Sequence, residues 1–412
     1  MQTVSQTAKA ILELGSRLGV SISCSNGLTI TENDMIQGSF SIDRNSVSGD
    51  VIEIGNAETT ELLFTLNNHD GRFDSYSFAG ETLTVDIMIG TEPLRAGVFT
   101  IDNSPQKLHS MKISALDNMA KFNKKYVPGT ASTLGQLLVY CCNQCGVTLN
   151  TTTFTNSAQA CNQPTSETTY HQVVAWIAEL AGKNAYIGHN GELYLGWYGS
   201  TKQPITSNHR FDFEVDEGDI TITGVGHDDG ENTTVVGTSD YALIIKGNDL
   251  VGDNISTILN NIYNVIGGYT YRPYSFSIMP MPYLWPMDEI EITMPDDSIV
   301  NSIITSHNFT LNGRSLISAV GKAEEQYGYA SAPALTASQK VIIERLADSK
   351  VEMSATQMEQ AMLALNQLIA NSLGYFTTTV ESGGAKTTYI HDKSTLASSD
   401  IIYVLTGSGF AW

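Results

Sequence analysis

The chain is poor in charge, poor in cysteine and free of long apolar runs, and each shortage excludes something. Only 16% of its 412 residues are Asp, Glu, Lys or Arg, so much of its polar surface must be Ser, Thr, Asn and Gly, as in extracellular or particle-forming β proteins. No apolar stretch approaches the ~20 residues of a membrane-spanning helix, and no membrane anchor is expected. Met1 to Lys9 holds one late lysine with no apolar core behind it, so the expectation is a soluble protein not exported by an ordinary signal. Cys24, Cys141, Cys142, Cys145 and Cys161 are odd in number and sparse, which disfavours a disulfide framework. Cations are scarce too: 22 Lys and Arg against 43 Asp and Glu leave a net charge of -21. Nonspecific binding to a phosphate backbone is thereby disfavoured.

Catalytic signatures are also missing. There is no Gly-x-Ser-x-Gly elbow, no Gly-x4-Gly-Lys phosphate loop and no His-Glu-x-x-His. Cys142-Asn-Gln-Cys145 has the spacing of half a zinc site or of a redox pair. It closes an apolar helical stretch of Leu134, Leu137, Leu138 and Cys141, with no second ligand pair after it, so small side chains packing a helix are the favoured reading. Asp212, Glu214, Asp216 and Asp219 alternate with Phe213 and Val215, which would gather acids on one face of a strand. Asp228-Asp229-Gly230-Glu231 and Asp249 to Asp253 are acidic loops that could hold a hard cation. Counting back from Gly230 puts Val225 where the first acid of a calcium loop belongs, so solvated turns are favoured. The sequons at Asn150, Asn232, Asn254 and Asn308 fit chance in a chain rich in Asn and Thr. No catalytic residue, metal ligand or cofactor is assigned.

What is present is β patterning. Leu62 to Leu66 is a short β-prone run, and Asn67-Asn68-His69-Asp70-Gly71 supplies residues that tolerate a turn. Leu83, Val85, Ile87 and Ile89 alternate with Thr84, Asp86 and Met88; Val98 to Ile101 and Met111 to Ser114 repeat the pattern, so consecutive hairpins are expected. Thr3 to Leu18 reads as a helix stopped by Gly19, and Leu116 to Phe122 as a short one. A helix starts at a Thr133 cap and ends at Gly146; another runs from Tyr170 to Gly182. The loop Leu149 to Thr169 lies between them, and a hairpin about Asn190-Gly191 follows. Ile255 to Gly267 is amphipathic, with Ile255, Ile258, Leu259, Ile262 and Ile266 inward. Leu335 to Leu373 has no proline or glycine and would extend about 58 Å as one helix. Val351, Met358 and Leu365 fall seven apart, with Ser354, Ala361 and Leu368 at the intervening spacing, a weak a/d seam that favours a trimeric bundle over a helix packed on its own chain.

The predicted fold class is mixed and mainly β: two β-barrel-like domains with a small α+β insert, then a long C-terminal helix and the start of a β element. The expected domains are 1–125 (first barrel, with an N-terminal helix), 126–208 (insert), 209–334 (second barrel), 335–374 (helix) and 375–412 (start of a β domain).

Four stretches also carry a resemblance: Asp50 to Ala57, Phe64 to Asp74, Gly97 to Asp102 and Ile113 to Met119. Their order, D-x-I-E-I-G-N-A, F-T-L-x-N-x-D-G-R-F-D, G-x-F-x-I-D and I-S-A-L-D-x-M, resembles the N-terminal structural region of phage and prophage tail-tip, or baseplate hub, proteins. That family is called tail-associated lysin when a lytic domain follows. The second β region resembles it too, through Tyr271-Arg-Pro, Asp288-Glu-Ile-Glu-Ile and Phe309 to Ser315. Tyr389 to Leu396 and Gly409-Phe-Ala resemble the segment after the helix in tail proteins of Gram-positive phages.

The resemblance implies a structural, non-enzymatic homotrimer that presents six similar barrels to a six-fold tail tube and closes its channel with the helices. Implied partners are tail tube or distal tail proteins, the tape measure protein, and the host surface through downstream domains, where any lytic activity would lie. DNA would pass without specific binding, and the acidic charge would suit either a channel wall or solubility alone. The place would be a virion tail tip or phage-tail-like particle, with synthesis in the bacterial cytoplasm. Two rivals remain: a cell-wall-degrading lysin, and a carbohydrate-binding adhesin with Thr- and Tyr-rich surface strands.

Overall fold

The computed structural model describes residues 2–321, except 50, 104, 106–108, 166, 200 and 201, and the backbone of four strands beyond residue 374. The chain divides into two compact units, Met1–Ala323 and Glu324–Trp412.

Period-two alternation builds the first strands: β1 Gly19–Cys24, β2 Thr29–Thr31, β3 Ser41–Asn45, β4 Glu61–Asn67, β5 Thr82–Ile89, β6 Glu92–Ile101 and β7 Ser110–Asp117. In β5, Leu83, Val85, Ile87 and Ile89 are fully buried while Thr84, Asp86 and Met88 stay half-buried on the other face. Leu62, Phe64 and Leu66 do the same in β4. Each such side chain is worth roughly 1.5–3 kcal/mol of transfer free energy, so the inward rows set the register.

Helix α1 spans Gln6–Glu13, shorter than the expected Thr3 to Leu18. Ser5 caps it, and Gly15 at φ +64° turns the chain out of helix before Gly19, which begins β1. The expected helix at Leu116 is a 3-10 turn over Asn118–Phe122, because β7 continues to Asp117, whose side chain caps the turn.

The insert holds α2 Leu134–Cys145, α3 Tyr170–Leu180, and the hairpin β8 Asn184–Ile187 with β9 Leu193–Gly196. Thr133 and Thr169 cap the two helices through their side chains, and Gly146 ends α2 at φ 66°. There follow β10 Gln203–Ile205, β11 Glu214–Val215, β12 Ile220–Thr221, β13 Gly224–Asp228, β14 Thr233–Gly237, β15 Ala242–Lys246 and α4 Ile255–Ile266. The last strands of this unit are β16 Thr270–Tyr271, β17 Tyr274–Ile278, β18 Glu289–Thr293, β19 Ile299–Ile303, β20 Ser306–Thr310 and β21 Ser315–Ala319. In α4 the stripe Ile258, Leu259, Ile262 and Ile266 is buried, while Ile255 is half-buried.

Two expectations about the sheets are corrected. The strands do not close into two barrels: one sheet runs β11-β17-β21-β20-β3-β4-β7-β6-β5-β1-β2, and no closed barrel forms among the described residues. The reason lies in β3 and β20, which pair with each other and so commit the edges that separate barrels would need. Nor are all the early strands consecutive hairpins. β5–β6 and β6–β7 pair, but β4 pairs with β7 and not with β5, whose free edge is taken by β1.

In the second unit, strands β22 Tyr375–Ser382, β23 Ala385–Asp392, β24 Tyr403–Thr406 and β25 Gly409–Ala411 form one antiparallel sheet in that order. The helix expected over 335–374, with its seam of Val351, Met358, Ala361, Leu365 and Leu368, lies outside the described residues.

Candidate functional site

The seam between the two β segments is where the core stops being purely apolar. β3 and β20 pair antiparallel, with Ile42 opposite Phe309 and Arg44 opposite His307, and all four side chains are buried. An arginine on an inward strand position needs partners, because burying an unpaired charge is expensive. The Nη2 of Arg44 donates to the Ala96 carbonyl at 2.9 Å, and its guanidinium lies 4.2 Å from the Trp285 ring centre. Asp117, also buried, accepts from the backbone N–H of Met119 at 2.9 Å and of Thr60 at 3.1 Å.

Burial outweighs the attraction between these opposite charges. It pushes Asp117 up to about 7 and Arg44 down to about 10. Burial and the positive field of Arg44 lower His307 to about 3, so its ring is neutral at pH 7, with Nδ1–H donating to the Leu284 carbonyl at 3.0 Å. Ser46 and Tyr198 continue the belt with a hydroxyl pair at 2.9 Å. The belt offers no nucleophile held by a base. It holds register, since a one-residue slip of β20 would turn His307 and Phe309 outward.

At the β11 end of the same sheet, apolar side chains are exposed. Phe211 is 55% exposed, Phe213 38% and Leu316 46%. Arg314 lies 4.7 Å over Phe211 and Arg210 lies 4.2 Å over Phe213. The Phe211 N–H donates to Ser277, whose strand partner is Leu316, so Phe211 and Leu316 sit beside one residue. Aromatic and arginine side chains are enriched at protein interfaces.

The residues singled out in the sequence are scattered, and each finds a structural role. His69 and Asp70 occupy the turn after β4. Asp70 accepts from the Arg72 N–H, Arg72 pairs with Asp34 at 2.7 Å, and the His69 ring lies 5.0 Å from that of His109. Cys141, Cys142 and Cys145 are buried free thiols, and burial raises them, Cys142 to about 12, away from the thiolate that metal or redox chemistry needs.

The acids at 212–219 do not share a strand face, since only Glu214–Val215 is strand. Asp212 accepts from the backbone and hydroxyl of Ser277, and Asp219 pairs with Arg272 at 2.7 Å. In the 228–231 loop, Asp228 accepts from the Gly230 N–H and meets Lys246 at 3.2 Å; Asp229 accepts from the N–H groups of Glu231 and Asn232. These are turn-forming contacts, and among the described residues no three His, Cys, Asp or Glu gather as metal ligands.

The buried belt was not anticipated. Its signal was available in Ser41-Ile42-Asp43-Arg44, where alternation puts Arg44 on the face of Ile42.

No family model and no curated protein matches the chain. Solved structures do. A 43 kDa tail protein of prophage MuSo2 from Shewanella oneidensis aligns at 16% identity and TM-score 0.47, over 73% of this chain and 97% of that one. A tail protein from Neisseria meningitidis aligns at 13% identity and TM-score 0.46, over 73% and 95%. Prophage tail protein gp18 from Listeria monocytogenes aligns at 13% and 0.44, over 81% and 98%. All three are tail proteins.

Proposed function

We propose that the chain is a structural hub component at the tip of a phage tail or phage-tail-like particle, joining the hexameric tail tube to a trimeric tip. One observation carries this reading. The stretches Phe64 to Asp74, Gly97 to Asp102 and Ile113 to Met119, apart in sequence, begin on β4, β6 and β7, which neighbour one another in the order β4-β7-β6, and run into the turns that follow them. Sequence words that converge on one patch of sheet encode one shared structural element. The continuous sheet and its buried polar belt suit a rigid part that transmits load, and the exposed Phe211, Phe213 and Leu316 suit docking on tail tube or distal tail proteins.

In this reading three copies meet through the 335–374 helix along Val351, Met358, Ala361, Leu365 and Leu368, and the bundle closes the channel. DNA, where the particle carries it, passes an acidic wall without specific contact. The tape measure protein and, through downstream domains, the host surface complete the partners. Sedimentation of the full chain tests the assembly: a trimer that Leu365→Asp reduces to monomer is expected, and a wild-type monomer at high concentration overturns the seam. A zymogram on Gram-positive cell walls tests the non-enzymatic role, and a clear lysis band from this chain alone overturns it.

A further inference from the structure

Two exposed histidine rings meet at the end of β4, and the hub role has no use for them. β4 and β7 pair down to Asn67 opposite Ser110, and the Asn68 N–H extends the ladder by donating to the His109 carbonyl at 2.8 Å. That bond sets His109 beside His69: their ring centres lie 5.0 Å apart, with planes at 48°. The turn below His69 is stiff. Buried Asn68 donates to Asp74 at 2.8 Å and accepts from the Phe73 N–H at 3.0 Å, and Asp34 holds Arg72 at 2.7 Å.

Two rings in contact for their own sake prefer an offset stack or an edge-to-face pose, and 48° is neither. The spacing fits a shared metal ion instead. An ion held ~2.0–2.1 Å from a ring nitrogen stands about 3.2 Å from the ring centre, so two imidazoles at a tetrahedral angle have centres about 5.2 Å apart. The pair at 5.0 Å therefore needs only side-chain rotation, which exposed rings can make.

The ligand atoms select the ion. Imidazole nitrogen suits Zn²⁺, Ni²⁺ and Cu²⁺, whereas Ca²⁺ and Mg²⁺ take oxygen ligands. Charge favours a cation here, since three carboxylates, of Asp34, Asp70 and Asp74, and one guanidinium, of Arg72, gather at this turn. Among the described residues no third His, Cys, Asp or Glu completes the set. Water would fill the remaining positions, which makes the site open and exchangeable, unlike a structural zinc site closed by four ligands.

We propose that His69 and His109 form an open surface site for one divalent ion of this class, Zn²⁺, Ni²⁺ or Cu²⁺. His69 fills the variable place in Asn68-x-Asp70-Gly71-Arg72-Phe73-Asp74, so the pair is a feature of this chain and not of the stretch that carries the resemblance. The inference stands apart from the hub role and can fail without it.

The test uses the full chain without a polyhistidine tag and with its histidine rings isotope-labelled. Zn²⁺ should shift the ring resonances of His69 and His109 together and leave buried His307 still, with Kd of about 100 µM or tighter. Ni²⁺ should broaden the same two resonances, and Ca²⁺ should move neither. His69→Gln and His109→Gln should each weaken Zn²⁺ binding about tenfold or more in calorimetry. Both positions are exposed, so neither change opens the core. The proposal is overturned if Zn²⁺ and Ni²⁺ at about 1 mM leave either ring unmoved, or if either variant loses less than about tenfold. It is also overturned if Ca²⁺ moves the rings as Zn²⁺ does, which would give the site to the carboxylates.

Discussion

The two β segments contribute to one sheet but are built differently. Strands β1 to β7 all belong to it, and the longest run to eight and ten residues, with burial that alternates strictly in β5 and shifts once in β6 at Ala96-Gly97. From β11 onward only β11, β17, β20 and β21 join it, none longer than five residues, and the other strands go to small separate sheets. Buried polar groups cut across this division. The first segment buries Arg44, Asn68 and Asp117 and the second buries His307, Thr305, Ser315 and Asp288, and the second also carries the exposed acidic turn of Asp228 to Asn232. Arg44 and His307 face each other from two five-residue strands, so it is the pairing of the segments that holds the buried polar groups in place.

The seam should show the largest effect. Arg44→Ala removes a buried cation, its bond to Ala96 and its stacking on Trp285, and leaves Asp117 buried without a counter-charge. A loss of about 3–5 kcal/mol is expected in urea unfolding. A loss below about 1 kcal/mol would mean that the two segments are not coupled through Arg44.

A pH effect should come next, from the helix that separates the segments. Glu179 is buried on α3, where it accepts from the Asn248 side chain at 2.8 Å; burial raises it from 4.5 to about 8. A buried acid of this kind keeps its proton when the unfolded chain has lost it. Stability therefore falls as pH rises from 4.5 through about 8 and levels off above. Glu179→Gln keeps an acceptor for Asn248 and removes the titration, so it should flatten this part of the profile and raise stability at pH 8 by about 2–4 kcal/mol. Thermal unfolding across pH 5 to 8 for both proteins checks the sign, and parallel profiles would refute it.

The same comparison explains what could be read in the sequence. Strand β5, helices α2 and α3 and the β8–β9 hairpin follow from alternation, threonine caps and an Asn-Gly turn, which are local signals. The pairing of β3 with β20 joins residues more than 250 positions apart in the chain, and no local pattern announces it. For that reason two barrels were expected where one open sheet stands. The acids at 212–219 look like a strand face in sequence, but Ser277 and Arg272 draw Asp212 and Asp219 into separate contacts. His69 could be placed in a turn from sequence; only the pairing of β4 with β7 sets His109 beside it.

The smallest effect separates two turns of similar chemistry. After β4, Asn68 is 3% exposed, donates to Asp74 at 2.8 Å and accepts from the Phe73 N–H at 3.0 Å. After β13, Asp229 accepts two backbone N–H groups, from Glu231 at 2.9 Å and Asn232 at 2.7 Å, but in solvent. Water can replace the partners of Asp229 and can reach exposed Asp74, but loss of Asn68 strands the N–H of buried Phe73. Asn68→Ala should therefore cost about 1–3 kcal/mol, while Asp229→Ala should cost under about 1 kcal/mol. Urea midpoints for the two variants decide it. Equal losses would show that burial is not what distinguishes the two turns, and the contrast between a locked turn after β4 and a solvated one after β13 would have to be dropped.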